Sequence, residues 1–194
     1  MGGGFGPPHT PLTTWPDFAS QLLFGRLCYG RSRVMKPSVY VETSVFGHLA
    51  TRPSALLVTA ANQQVTRDFW DAHRARFDLF VSLAVVDECT AGDVQAAAER
   101  EVFLKGIPVL GVDDHVLSLA QSLMTGIPLP EKAAVDAVHI AVATVNGVDY
   151  LVTWNCKHIA NPALRGKIEA VCRAAGYGPP VICTPPELIE VPDQ

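Results

Sequence analysis

The sequence has few charged residues, little net charge and no long apolar segment. Asp, Glu, Lys and Arg make up 18% of its 194 residues, well below the content of a disordered or highly charged protein. The formal net charge of -4 gives no global positive field, so any contact with nucleic acid has to be local. No apolar run approaches the roughly 18 residues that a bilayer span needs, so we expect no membrane association.

The cysteines also lack a pattern. There are five, an odd number, and none forms a Cys-x-x-Cys pair. Without a recognisable export signal, this favours free thiols and predicts a cytoplasmic protein. We expect these cysteines to be small buried fillers, and neither they nor the histidines have the spacing of a zinc site.

The sequence does contain enough apolar material for one sizeable core, since 48% of its residues are hydrophobic. Residues 1–34 differ from the rest in their Gly and Pro content and their basic patch. We expect them to be a poorly ordered N-terminal extension. Because Met35 directly precedes the first strand pattern, they could also be a start-site artefact, and the functional domain is predicted over residues 35–194.

Short apolar segments alternate with helical segments along residues 35–194. Such alternation predicts an α/β protein in which a central parallel sheet of about five strands is covered by helices on both faces. The connections are expected to be right-handed, and the carboxyl ends of the strands should meet at one edge. The five strand patterns lie at residues 39–41, 79–82, 107–112, 150–153 and 181–183.

A carboxylate and two hydroxyl residues end the first strand pattern. Glu42 follows residues 38–41, and Thr43 and Ser44 come next, where a helix is expected to begin. Ligands bind at the carboxyl ends of strands in open α/β sheets, so Glu42 is a candidate site residue. The alternative is that Glu42 is a solvated loop acid and that the hydroxyls only cap the helix.

Two further acids are candidates. Glu88 lies about one turn into the helix after the second strand, and Asp136 lies within a helix of alanines and valines. A charge among such neighbours is poorly explained by burial alone, although Asp136 could face water or pair with Lys132. His139, three residues later, is expected to be a hydrogen-bonded core residue.

Asn155 follows the fourth strand as Glu42 follows the first, and Lys157 and His158 add positive charge at the same end. The alternatives are a turn residue for Asn155 and a solvated loop for the two basic residues. Three acids gathered at one sheet edge repel one another unless a cation neutralises them. Oxygen ligands favour Mg²⁺ or Mn²⁺, and carboxylate-held ions of this kind serve the hydrolysis of phosphodiesters. The residues therefore indicate a nuclease.

Four ordered segments carry a resemblance to a known family: residues 40–44 (YVETS), 85–88 (VVDE), 135–141 (VDAVHIA) and 153–159 (TWNCKHI). Together they resemble a PIN domain and, more narrowly, the VapC-like toxins of type II toxin-antitoxin systems. This resemblance implies a three-layer α/β/α sandwich and a Mg²⁺- or Mn²⁺-dependent endoribonuclease. It also implies a homodimer and a cognate antitoxin that blocks the active site.

The resemblance also assigns the candidate ligands. Glu42 stands where the family usually has aspartate, Glu88 and Asp136 match its second and third acids, and Asn155 stands where many members have a fourth aspartate. Glutamate at 42 adds a methylene, and asparagine at 155 removes a charge, so one tightly held ion is expected rather than two.

Supporting roles follow from the same resemblance. Thr43 and Ser44 match the hydroxyls that steady the first acid, and Lys157 or His158 would contact phosphate.

The leading hypothesis is therefore metal-dependent hydrolysis of RNA by the toxin of a type II pair. A second hypothesis, motivated by Glu42 and Asn155, is a catalytically weak PIN-fold module that binds RNA or a protein partner. A phospho-accepting regulatory domain also needs clustered acids and a lysine. The sequence disfavours it because the first strand ends in glutamate and no aspartate follows a strand in the phosphoacceptor position.

Overall fold

The computed structural model describes residues 36–192. The predicted N-terminal extension, residues 1–34, lies outside the described residues. The proposed domain boundary at Met35 therefore stays a prediction.

The described chain forms a five-stranded, all-parallel sheet with the strand order β3-β2-β1-β4-β5. The central strand, β1, is almost entirely buried, as expected for an apolar strand covered on both faces. The strands are β1 (Ser38–Val41), β2 (Asp78–Ser82), β3 (Val109–Leu110), β4 (Tyr150–Val152) and β5 (Val181–Cys183).

Helices connect the strands. They are α1 (Thr43–Ala50), α2 (Leu57–Asp68), α3 (Leu83–Thr90), α4 (Val94–Leu104), α5 (Asp114–Gly126), α6 (Ala134–Val145), α7 (Pro162–Ala174) and α8 (Pro185–Ile189). A π-helical turn (Phe69–His73) and a 3₁₀ turn (Arg74–Arg76) extend α2, and a second 3₁₀ turn (Glu131–Ala133) precedes α6.

The helices pack against one another around the sheet, and α3 contacts α1, α4 and α6. Helix α5 contacts α6 and α7, whereas α1 contacts α2 and α4, and α2 contacts α8. The predicted α/β class, with helices flanking a parallel sheet of five strands, is confirmed. No helix among residues 36–192 is long and apolar enough to cross a membrane.

Side-chain caps start several helices, and the cap of α1 is Glu42 rather than Thr43 or Ser44, the hydroxyl residues that the sequence suggested as caps. Glu42, Ser82, Asp113 and Asn161 each accept a hydrogen bond from a backbone N–H in the first turn of α1, α3, α5 and α7, respectively. Such caps satisfy N–H groups that have no partner within the helix. The first of these caps is also the first candidate ligand.

The third strand is shorter than predicted. Residues 107–112 read as one strand, but only Val109 and Leu110 pair with β2. Pro108 has no N–H to donate, although its carbonyl accepts a hydrogen bond from the backbone of Val81 at 3.1 Å. Because β3 is an edge strand, the flanking apolar residues can pack against the core without pairing.

The carboxyl ends of the inner strands lie side by side. Val41 pairs with Val152, and Val152 pairs with Cys183. The backbone N–H of Glu42 still donates to the carbonyl of Val152 at 3.1 Å. The segments after β1 and β4, which carry Glu42 and Asn155, therefore leave the sheet at the same edge.

Candidate functional site

Glu42 is a buried carboxylate that is held through one of its oxygens. Its side chain is 5% exposed. Its Oε2 accepts hydrogen bonds from the Thr153 hydroxyl at 2.6 Å, from the backbone N–H of Ser44 at 3.1 Å and from the Ser44 hydroxyl. No described residue donates to its other oxygen, so that oxygen is available to a ligand.

Glu88 approaches the same place from α3 and is also held through one oxygen. Its Oε2 accepts from the Thr43 hydroxyl at 2.5 Å and from His139 Nε2 at 2.9 Å. Partial burial pushes the pKa of this carboxyl up, but the hydrogen bonds from His139 and Thr43 and the charge of His139 outweigh burial. The pKa of Glu88 therefore lies below its ordinary value, which favours the carboxylate form.

A buried hydrogen-bonded chain lies behind Glu88. The imidazole of His139, on α6, contacts Glu88 through Nε2 and the Tyr40 hydroxyl through Nδ1, the latter at 2.7 Å. The Tyr40 hydroxyl also lies 2.7 Å from the Ser82 hydroxyl, at the end of β2. Burial raises the pKa of Tyr40 far above its ordinary value, so this phenol stays protonated.

Asp136 belongs to a second group of side chains. Its Oδ1 accepts from Asn155 Nδ2 at 2.8 Å, and its Oδ2 lies 2.7 Å from His158 Nδ1. Because a carboxylate can only accept, His158 donates through Nδ1. Asp136 does not pair with Lys132, the alternative that the sequence left open, and it does not simply face water. Its ion-pair partner among the described residues is His158.

Both the nitrogen and the oxygen of the Asn155 amide make a hydrogen bond in this arrangement. Its Oδ1 accepts from the backbone N–H of His158 at 3.1 Å while its Nδ2 donates to Asp136. Only this orientation of the amide satisfies both neighbours. In this arrangement Asn155 holds Asp136 and the following turn. The predicted role of Asn155 as an ion ligand stays a prediction.

Thr153 connects the two groups of side chains. Its hydroxyl donates to Glu42 and accepts from the backbone N–H of Asn155 at 2.8 Å. Asp136 and His139 also lie three residues apart on α6, so they share one face of that helix. Glu42, Glu88, Asp136 and Asn155 thus converge at one edge, although not as a single ligand set.

The tightest grouping of metal-binding atoms is formed by Glu42, Glu88 and His139. One ligand atom from each lies within 4.8 Å of the other two. Within residues 36–192, no other group of three or more His, Cys, Asp or Glu residues brings its ligand atoms this close. Two carboxylates, each with an oxygen that receives no hydrogen bond from a described residue, fit a divalent cation such as Mg²⁺ or Mn²⁺.

The basic candidates lie at the rim. Lys157 is exposed and makes no ion pair with a described residue, whereas His158 is half-buried against Asp136. A cleft of about 460 Å³ runs from Ser44 along α1 towards the loop at Thr51 and Arg52, with His48 in its wall. Arg52 is exposed and likewise has no ion-pair partner in residues 36–192. Lys157 and Arg52 are therefore exposed positive charges, the first close in sequence to Asn155 and the second in the cleft that begins at Ser44.

Sequence reasoning missed the parts that Tyr40, His139 and Thr153 play in this site. A tyrosine within a buried strand and a histidine within an apolar helix both read as core residues, and both are indeed buried. The available signal was position: His139 shares a helix face with Asp136, and Thr153 directly precedes the candidate segment at Trp154 and Asn155.

Three described cysteines are the buried fillers that the sequence suggested. Burial raises the pKa of Cys89 to about 11 and of Cys183 to about 12, and it also raises the pKa of Cys172. Cys156 differs, since it is exposed beside Asn155. Cys28 lies outside the described residues.

No family model and no curated protein matches the sequence. Among solved structures, VapBC2 from Rickettsia felis bound to a DNA fragment from their promoter aligns with a TM-score of 0.50 at 11% identity, covering 76% of this chain and 98% of that chain. VapC20 from Mycobacterium tuberculosis, a toxin that cleaves the sarcin-ricin loop, aligns with a TM-score of 0.46 at 20% identity, covering 58% of this chain and 86% of that chain. At these identities the likeness concerns the fold alone, and the described chain has a PIN-like, VapC-like fold.

Proposed function

We propose that the protein is a metal-dependent endoribonuclease and the toxin of a type II toxin-antitoxin pair. The observation that carries this proposal is the convergence of Glu42, Glu88 and His139 within 4.8 Å at the carboxyl edge of the sheet. Two carboxylates so close in a partly buried site favour a bound cation over an empty site. The VapC-like fold makes RNA the substrate that we infer.

A bound Mg²⁺ or Mn²⁺ would polarise a phosphoryl oxygen, lower the pKa of an attacking water and screen the charge of the substrate. Glu42 and Glu88 would hold the ion through the oxygens that have no described donor. The Ser44 hydroxyl would keep the other oxygen of Glu42 in place. The Thr43 hydroxyl would do the same for Glu88, whose Oε2 it contacts at 2.5 Å. The protein thereby fixes both carboxylates before substrate arrives.

The second group of side chains would act on the substrate side of the ion. Asp136 would complete the shell of the ion or orient the water, and Asn155 holds the carboxylate of Asp136 at 2.8 Å. Lys157 and His158 would contact phosphate. An RNA strand would continue along the cleft beside α1, where Arg52 supplies positive charge.

The likeness to a VapBC2 structure also supports a cognate antitoxin as partner. We propose that this antitoxin covers the edge that carries Glu42 and Glu88. A homodimer and a cytoplasmic location, both expected from the sequence, remain part of this proposal, and light scattering of the purified protein tests the homodimer.

The proposal is tested with the full chain and a pool of RNA oligonucleotides of diverse sequence and structure. We expect cleavage that requires Mn²⁺ or Mg²⁺ and stops with a chelator. Asp136→Asn should abolish cleavage, while Asp87→Asn, the same change at an exposed neighbour of Glu88, should leave it intact. Circular dichroism and thermal melting of both variants confirm that they fold.

Undiminished cleavage by Asp136→Asn would refute the assigned site. Absence of divalent-cation-dependent cleavage across the pool, together with retained RNA or protein binding, would favour the second hypothesis of a catalytically weak binding module. That hypothesis draws on the amide at Asn155, which brings no charge to the ion.

A further inference from the structure

Four polar side chains form a continuous line from the protein core to the acidic centre. The Ser82 hydroxyl lies 2.7 Å from the Tyr40 hydroxyl, which lies 2.7 Å from His139 Nδ1, and His139 Nε2 lies 2.9 Å from Glu88 Oε2. The residues come from β2, β1, α6 and α3, so the line crosses from the sheet to the helices. It ends at a candidate ion ligand.

The first three members of this line are shielded from water. Tyr40 and Ser82 are 0% exposed and His139 is 1% exposed, whereas Glu88 is 39% exposed. Buried polar groups cost stability unless they are hydrogen-bonded, and apolar residues at these positions would fill the same space without that risk. Packing alone therefore does not explain why hydroxyl and imidazole groups occupy the core here.

The line restricts the motion of the imidazole. Both ring nitrogens of His139 are engaged, one by Tyr40 and one by Glu88, so the ring cannot turn without breaking a bond inside the core. Since Tyr40 is held in turn by Ser82, and Ser82 caps α3 through the N–H of Val85, the restraint is anchored in two elements. Hydrogen-bonded neighbours of this kind typically orient metal ligands.

We propose that His139 is a positioning residue, fixed by Tyr40, that holds one oxygen of Glu88 and leaves the other to a divalent cation. The inference rests on the proposed function for the identity of the ion site. The hydroxyl of Thr43, on α1, contacts the same Glu88 oxygen at 2.5 Å. Together the imidazole and the hydroxyl fix which oxygen of Glu88 is engaged by the protein.

The competing arrangement is direct ligation of the cation by His139 Nε2. The line permits it, because a proton on Nδ1 donated to Tyr40 would let Tyr40 donate to Ser82 and leave Nε2 with a free lone pair. Nε2 would then lose its hydrogen bond to Glu88. The two arrangements differ in the donor atoms around the ion, and this difference is measurable.

The first experiment uses the wild-type protein with Mn²⁺ as a paramagnetic probe. Electron spin-echo spectroscopy should show no directly coordinated imidazole nitrogen if His139 acts only through Glu88. A strong ¹⁴N coupling in the wild-type protein that disappears in His139→Gln would overturn the inference. This measurement needs no RNA and no cleavage, and its decisive spectrum comes from the unmodified chain.

The second experiment compares Mg²⁺ and Mn²⁺ affinities by calorimetry for the wild type and for Tyr40→Phe. Loss of the hydroxyl should weaken both ions by a similar factor, on the order of tenfold, as for other residues that orient a ligand. Tyr150→Phe is the matched control, since Tyr150 lies in the neighbouring strand and its hydroxyl has no hydrogen-bond partner in residues 36–192. We expect the control to bind both ions like the wild type.

Unchanged affinities in folded Tyr40→Phe, or a selective loss of Mn²⁺ affinity in His139→Gln, would contradict the inference. If Tyr40→Phe does not fold, as judged by thermal melting, the wild-type spectrum still decides. Failure of the proposed function gives a different result: the wild type would bind cations without cleaving RNA. A wild type that binds no divalent cation would overturn both proposals.

Discussion

Two groups of side chains meet at the carboxyl edge of the sheet, and they are satisfied in different ways. In the group of Glu42, Glu88 and His139, each carboxylate is held through one oxygen. In the group of Asp136, Asn155 and His158, both oxygens of the carboxylate receive donors from the protein. In the first group one oxygen of each carboxylate receives no hydrogen bond from a described residue, whereas in the second group both oxygens of Asp136 have donors.

We propose that the acids of the two groups have separate tasks, although the sequence treats them alike. A carboxylate with an oxygen free of hydrogen bonds can accept an ion. A carboxylate with hydrogen-bond donors on both oxygens is held in one orientation. We expect ion affinity to depend mostly on the first group and turnover to depend on both.

The largest effect is expected at Glu42. Glu42→Gln should weaken Mn²⁺ binding by at least about 100-fold, because it removes a charge from a buried ligand whose neighbours are all donors. Calorimetry measures the affinity, and Glu101→Gln, on an exposed face of α4, is the control. Binding within a few-fold of the wild type would place the ion elsewhere.

Glu42→Asp sharpens the same point, since it introduces the residue that the resemblance to PIN domains leads us to expect at this position. The shorter side chain draws the carboxylate away from the hydroxyls of Ser44 and Thr153, so we expect weaker rather than stronger ion binding. Tighter binding by this variant would mean that a glutamate at position 42 lowers the affinity for the ion.

Asp136→Asn should distinguish the contribution of the second group from that of the first. We expect RNA cleavage to be lost while Mn²⁺ affinity falls by less than in Glu42→Gln, because Asp136 lies outside the cluster of closest ligand atoms. Single-turnover cleavage and calorimetry on the same sample measure both quantities. Equal losses of affinity in the two variants would show that the groups act as one ion site.

Asn155→Asp tests the balance of the second group by adding a carboxylate 2.8 Å from Asp136. Without a cation, the two acids repel each other, and we expect a loss of about 1–3 kcal/mol in the free energy of unfolding. Mn²⁺ should restore more stability to this variant than to the wild type, as thermal melts with and without the ion would reveal. A variant as stable as the wild type in chelator would contradict the close pairing.

A smaller effect is expected from pH. The folded-state pKa of Glu88 is lowered, so its contribution to stability is present above the unfolded value of about 4.3 and is lost as the pH falls through the folded value. Without cation, Glu88→Gln should therefore weaken the pH dependence of the free energy of unfolding between about pH 4.3 and the lower folded-state pKa. Denaturant titrations at several pH values measure this free energy. A slope identical to that of the wild type would show that the carboxylate is not held as described.

The smallest effect is expected outside both groups. Arg52→Ala should raise the KM for RNA by roughly two- to fivefold and leave kcat unchanged, because an exposed charge contributes little more than 1 kcal/mol. Steady-state cleavage at several salt concentrations separates the two parameters. A fall in kcat instead would move Arg52 from the proposed RNA path to the chemistry.

Much of the fold could be predicted from local patterns. The strand at Ser38–Val41 and the cap at Ser82 follow from apolar runs that end in polar residues, and their parallel arrangement follows from the alternation with helices. The extent of β3 could not be predicted, since pairing at an edge depends on a neighbour and Ile107 is as apolar as the residues that pair.

The candidate acids could also be located, because each lies in or just after a segment that ends at the same sheet edge. The sequence resemblance places both Thr43 and Ser44 beside Glu42, whereas the hydroxyl of Thr43 contacts Glu88 instead. The contact between Glu88 and His139 could not be predicted either, since it joins residues 51 positions apart. Such contacts depend on strand register and rotamers, and a buried tyrosine gives the same sequence signal whether or not its hydroxyl has a partner.

One consequence follows from the double role of Glu42 as candidate ligand and N-cap of α1. The backbone N–H of Ser44 is bonded directly to the carboxylate oxygen, so its rate of hydrogen exchange reports on the motion of that carboxylate. An ion bound to Glu42 would stiffen the carboxylate and slow this single amide. The exchange rate of this amide in the first turn of α1 would thus report ion binding without any substrate.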